Sequence, residues 1–171
     1  MNAPLERIGH DQVTGRELLL LHTSSPVSME AFQAPSQHSV GLLVWDSDKE
    51  NVETVSVVVE QMLASGCIYL CAWGRGCERV EDIADAIVVG DDPDLSRGSF
   101  VMTTSHAHES LEEAILFFLR NTPPEHSCKE SCRSGIVIIV GCDDQRAALV
   151  RRALSHPTEF TRKTLDQWRP E

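Results

Sequence analysis

The stretch Cys67-Ile-Tyr-Leu-Cys71-Ala-Trp73-Gly74-Arg-Gly76-Cys77-Glu78-Arg79-Val-Glu-Asp82 decides how the chain is read. Its apolar first half suits a buried strand, the glycines at 74 and 76 break it, and an amphipathic helical period follows at once. A strand that turns directly into a helix gathers polar side chains at its carboxyl end, where open α/β sheets build their sites. Regular alternation would point Cys67, Tyr69, Cys71 and Trp73 to one face and Ile68, Leu70 and Ala72 to the other. The helix begins near Gly76 or Cys77, carries Val80, Ile83, Ala84 and Ile87 on its apolar stripe, and yields to a short strand at Ile87-Val-Val89.

The same alternation extends both ways along the chain. Upstream, Glu17 to His22 and Ser39 to Trp45 read as buried strands, with one or two helical turns over Met29 to Phe32 between them. Ser47 and Glu50 make a capping box for a helix whose stripe of Val52, Val55, Val58, Val59, Met62 and Leu63 stops at Gly66. Downstream, the acidic turn Gly90 to Asp94 leads to a strand over Phe100 to Thr104 and a helix carrying Leu111, Ala114, Ile115, Phe118 and Leu119. After Pro123-Pro124 come a strand from Gly135 to Val140, a helix from Gln145 to Ser155, and an amphipathic segment with Phe160, Leu165 and Trp168. This order predicts a three-layer, Rossmann-like, doubly wound α/β fold with a mostly parallel sheet of about five to six strands. Residues 1–15 lack a sustained period and are expected to form a flexible arm or a short edge element, leaving 16–171 as a single α/β domain.

Composition narrows the class of protein. A chain of 171 residues, 42% hydrophobic and 24% charged, is that of one soluble globular domain, and no apolar run approaches a membrane span. The formal net charge of -11 disfavours nucleic acid and anionic membranes as partners, so a small molecule or a protein is expected. The polar start Met1-Asn-Ala-Pro-Leu-Glu-Arg lacks the apolar stretch of a secretory signal, so a cytoplasmic location is expected. There the six cysteines are expected as thiols, metal ligands or reactive groups rather than disulfides. Basic charge comes from 12 Arg and only 3 Lys, a bias typical of GC-rich bacterial genomes.

Two segments, Cys71-x-Trp-Gly-x-x-Cys-Glu-Arg-Val-x-Asp82 and Thr103-Thr-x-His-x-x-Glu-Ser-Leu-x-Glu-Ala114, resemble a family of uncharacterised bacterial proteins, a domain of unknown function. The resemblance covers roughly residues 40 to 140 and implies no activity. It marks Cys71, Trp73, Cys77, Glu78, Arg79, Asp82, His106, Glu109 and Ser110 as the residues to watch.

The residues themselves suggest several chemistries. Cys77, in the first turn of a helix with Arg79 nearby, is placed where backbone amides favour a thiolate; His106 would act as its base and Glu109 would orient the histidine. Against this stands packing, since cysteine is among the most buried residue types and usually inert there. A metal site, with zinc the ion such donors suit, could draw on Cys71, Cys77, His106 and His108, or on His126, Cys128 and Cys132. A caspase-like pairing of His106 with Cys142 is a third reading, though the local sequence lacks that family's Gln-Ala-Cys-x-Gly signature. Finally, Trp73, Gly74, Gly76, Glu78, Arg79, Asp82 and Ser110 would line a ligand site, with Arg75 or Arg79 available to a carboxylate or phosphate at the helix start. The favoured reading is a rim site of Cys77, Arg79, His106 and Glu109 for a small ligand or metal, with thiol chemistry. The alternative is a non-catalytic protein-interaction module in which these residues form a structural polar network.

Overall fold

In the computed structural model, which describes residues 4–29, 32–91 and 101–169, the apolar runs become strands of one sheet. The elements are β1 (Glu6–Asp11), β2 (Arg16–Thr23), β3 (His38–Trp45), α1 (Val52–Ala64), β4 (Cys67–Trp73), α2 (Cys77–Asp91), β5 (Met102–Ser105), α3 (Leu111–Arg120), β6 (Cys132–Val140), α4 (Asp144–Ser155) and α5 (Pro157–Asp166). The sheet runs β1-β2-β6-β3-β4-β5, with β1 antiparallel and every other pairing parallel. Helices α1 and α2 cover one face and α3 and α4 the other, which is the expected three-layer, doubly wound, Rossmann-like arrangement. No helix among the described residues is long and apolar enough to cross a membrane.

Burial on both faces explains the continuous apolar strands. Val40, Leu42 and Val44 of β3 and Val137 and Ile139 of β6 pack beneath Ile115, Phe118 and Val150. Leu43, Ile136 and Ile138 pack beneath Val55, Val59 and Val80 on the other side. The valine-rich α1 keeps its helix because Val55, Val58, Val59 and Met62 are all buried against the sheet, which outweighs its poor intrinsic propensity.

Several local expectations are corrected. The helix α1 is capped not by a Ser47/Glu50 box but by Asn51, whose side chain accepts from Thr54 N at 2.8 Å; Ser47 is instead buried in the turn below. No strand forms at Ile87-Val-Val89, because α2 continues to Asp91 with Ile83 and Ile87 still packed on the sheet. The β-branched run therefore follows its packing and not its strand propensity. Of the two expectations for the start of the chain, the flexible arm gives way to the short edge element: residues 4–15 carry the edge strand β1, which Arg151 of α4 grips by a bidentate pair to Glu6, both N–O distances 2.9 Å. Between β2 and β3 a 3-10 turn occupies Pro26–Ser28, and the helical turns expected over Met29 to Phe32 fall partly outside the described residues. So does most of the acidic turn and Phe100.

One correction reaches the site. Pairing of β3 with β4 steps from Ser39–Cys67 to Val40–Tyr69, so Ile68 is an extra residue and the side-chain alternation resets there. Tyr69, Cys71 and Trp73 face α3 and α4 as expected, while Cys67 turns to the α1 side.

Phe118 is 1% exposed and is the largest side chain wholly enclosed by the α3 layer. Phe118→Ala should cost about 3–5 kcal/mol in urea denaturation with the m-value unchanged; a loss below about 1 kcal/mol would show that α3 does not pack as described.

Candidate functional site

Because β3 leads to α1 on one face and its neighbour β6 leads to α4 on the other, the chain diverges between their carboxyl ends. That divergence is the usual place for a ligand in an open α/β sheet. Here an open cleft of about 360 Å³ is lined by Asp46, Trp73, Arg75, His106, Glu109 and Arg146, among others.

Two glycines bring its walls together. Gly74 has φ +115°, and a Cβ there would lie 2.3 Å from the carbonyl oxygen of Trp45. Gly76 has φ +86°, and its Cβ would lie 2.8 Å from Asp48 N. Only glycine lets the β4–α2 turn lie backbone to backbone on the β3–α1 turn. The contact is closed by Ser47 N donating to the carbonyl of Arg75 at 2.8 Å and Arg75 N donating to Asp46 Oδ1 at 2.9 Å.

Charge is concentrated on this frame. Arg146, in the first turn of α4, sits 4.9 Å from the centroid of Trp73 and is held there by Asp46 at 3.0 Å and Asp143 at 3.3 Å. A guanidinium over an indole gains from the ring's negative face. Burial would raise the Asp46 carboxyl, but the Arg75 amide and the Arg146 and Arg75 guanidiniums overcome that and hold it below the usual carboxylate range. Arg75 reaches Asp46 at 3.5 Å and Asp48 at 4.0 Å, yet its side chain is 70% exposed and open to the cleft.

On the far wall the indole N–H of Trp73 donates to the carbonyl of Glu109 at 2.9 Å. The His106 ring is buried and lies against Phe117, with centroids 4.7 Å apart. Its Nδ1 is 2.7 Å from Glu109 Oε2 and its Nε2 is 3.1 Å from Thr104 Oγ1, so Glu109 does orient the histidine.

The remaining candidates are elsewhere. Cys77 is buried on the α1/α2 side, and its thiol meets the backbone N–H of His106, not the ring; burial pushes the thiol up despite that amide. The expected Cys77–His106 pair is therefore not formed. Arg79 turns beneath the rim, where its guanidinium donates to the carbonyls of Ser47 and Glu50 and fastens the β3–α1 turn. Glu78 and Asp82 are exposed on α2, and Ser110 caps α3 through a capping box with Glu113.

Among the described residues no three His, Cys, Asp or Glu side chains converge as metal ligands. Cys71 and Cys77 lie on opposite faces of the sheet, so they cannot share an ion with His106. Cys132 is buried at the start of β6 while His126 is exposed and Cys128 half-buried, and these do not form a three-ligand group either. The His106–Cys142 dyad fails on topology. β5 and β6 are consecutive in sequence, but β3 and β4 lie between them, which separates their ends by roughly 14 Å.

Asp46 and Arg146 are the two site residues that sequence reasoning missed. The available signal was position, since Asp46 directly follows β3 and Arg146 lies in the first turn of the helix that follows β6.

Two outcomes are expected. Asp46→Asn should destabilise the protein by about 1–2 kcal/mol near neutral pH. The folded-state value of Asp46 is lowered, so its contribution is present above about pH 4 and lost as the pH falls further; the acid limb of stability against pH should be flatter in the variant. For the thiols, Cys142 is exposed and Cys128 half-buried, whereas burial pushes Cys67 and Cys71 up to about 12 and raises Cys77. Alkylation of the native protein at pH 7 should modify Cys142 first, and Cys77 at least about tenfold more slowly. Rapid labelling of Cys77 would restore it as a reactive thiol.

A family model described as a domain of unknown function, DUF7684, matches residues 17–157. No curated protein matches the chain. The matched span runs from the second residue of β2 to the first residue of α5 and takes in every residue of the rim cleft. The chain belongs to the DUF7684 family.

Proposed function

We propose that this DUF7684 chain is a ligand-binding domain whose rim cleft takes a small polar molecule bearing an anionic group. The observation that carries this reading is the contrast between two adjacent arginines. Arg146 is neutralised by two carboxylates and stacked on Trp73, whereas Arg75 beside it meets its acidic neighbours only at 3.5 and 4.0 Å and keeps 70% exposure. A preformed wall with one guanidinium still largely in water is suited to an incoming carboxylate or phosphate. Glu109, 42% exposed across the cleft, would accept a hydrogen bond from a hydroxyl or amine of the same ligand. The buried thiol of Cys77 has no part in this reading.

A second reading, a protein-interaction module with a structural polar network, is favoured by the internal pairing of the site. His106 uses both ring nitrogens within the chain, and Arg146 lies between two carboxylates.

Arg75→Ala separates the two, because so exposed a side chain can be removed without unfolding the protein. In a screen of small polar anions read by amide and indole NMR shifts, binders should perturb the Trp73 indole and lose about tenfold or more in affinity in the variant, at unchanged Tm. Binders that perturb other surfaces, or none that respond to Arg75→Ala, would overturn the ligand site and leave the interaction module.

A further inference from the structure

At the opposite end of the sheet, the starts of β2 and β6 and the end of α3 surround a second cavity of about 340 Å³. Its polar wall holds Arg16, Arg120, Lys129 and Thr122. Arg16 is 6% exposed, a depth at which arginine is rare without a carboxylate beside it. Its Nη1 donates to Thr122 Oγ1 at 3.0 Å and its Nη2 to the carbonyl of Thr122 at 2.8 Å; the Cys132 thiol, Asp11 and Arg120 are its further neighbours.

The nearby carboxylate is already committed. Asp11, 1% exposed, accepts from Arg120 Nη1 at 2.7 Å, from Thr14 Oγ1 at 2.7 Å and from Val13 N at 3.3 Å. Among the described residues no carboxylate pairs with Arg16. Nor does Cys132 neutralise it, since burial raises that thiol and keeps it protonated at neutral pH. The carbonyl end of α3 supplies about half a negative charge. Three cations thus face one carboxylate and a partial dipole, in a chain whose net charge is -11.

We propose that this cavity is an oxyanion-binding site, taking the carboxylate or phosphate group of a small metabolite on Arg16, Arg120 and Lys129, with its apolar part against Val13, Leu119 and Pro123. The guanidinium of Arg16 has five N–H donors and Thr122 occupies only two of them, so the buried fork can still bond an oxyanion. Lys129 is exposed at the mouth, where it would meet the anion last and leave with it.

The test titrates the full chain at pH 7 with inorganic phosphate, with butyrate, and with chloride at equal ionic strength, reading Tm and amide NMR shifts. Phosphate or butyrate should raise Tm saturably, by about 5 °C or more at a hundredfold excess over Kd, with shifts at Arg16, Thr122 and Cys132. A stronger response to phosphate identifies a phosphate group as the natural head, and a stronger response to butyrate a carboxylate. Lys129→Glu, on the surface, should keep its own Tm and lose at least tenfold in affinity, while Arg16→Gln should abolish binding. A rise no larger than that of chloride, an unchanged affinity in Lys129→Glu, or shifts confined to Arg75 and Arg146 at the rim would each overturn the proposal. Should Arg16→Gln fail to fold, Lys129→Glu decides alone.

Discussion

Burial of β3 and β6 on both faces is the constraint from which the rest of the molecule follows. From Val40 of β3 and Gly135 of β6 onward their side chains are apolar, and the polar residues His38, Ser39, Arg133 and Ser134 fall at the starts of the strands. Polar chemistry is thereby confined to the two ends of the strands, and the two clefts described above lie at those ends. At the carboxyl end the chain leaves β3 and β6 toward opposite faces and opens a crevice. At the amino end three cationic side chains collect around the end of α3.

The same burial explains why so much of the fold could be read from the sequence. A strand hidden on both faces shows as an unbroken apolar run, and Leu18 to Leu21, Val40 to Trp45 and Ile136 to Val140 all have that form. Features that depend on one residue's phase could not be read this way. The bulge at Ile68 leaves no trace in an apolar run, yet it decides which face Cys67 occupies. The end of α2 is another case, since valine suits helix or strand and only packing against the sheet chooses.

Legibility of the site divides along the same line. Trp73, Gly74, His106 and Glu109 follow directly from strand ends and turns, and the structure gathers them. Cys77 and Arg79 were placed correctly along the chain, but the rotation of α2 turns the thiol inward and sends the guanidinium beneath the rim. Asp46 and Arg146 join the site only because β6 lies beside β3, a neighbour relation nearly a hundred residues long in sequence that no local period encodes. Strand order likewise separates His106 from Cys142, although the two look adjacent when strands are counted along the chain.

The distribution of charge carries the argument one step further. The chain is strongly acidic, but Glu53, Glu60, Glu78, Asp82 and Glu112 stand exposed on the outer faces of helices. Arg16, Arg79, Arg120 and Arg146 are instead drawn inward, each bonding a carbonyl, hydroxyl or carboxylate of another element or turn. A planar guanidinium with several fixed donors can stay bonded while partly dehydrated, which a compact ammonium does less well. The excess of 12 Arg over 3 Lys therefore has a structural use here, whatever its origin in base composition. Under the two proposals above, an anion would be repelled by most of the surface and taken up at Arg75 at one end of the sheet and at Arg16, Arg120 and Lys129 at the other.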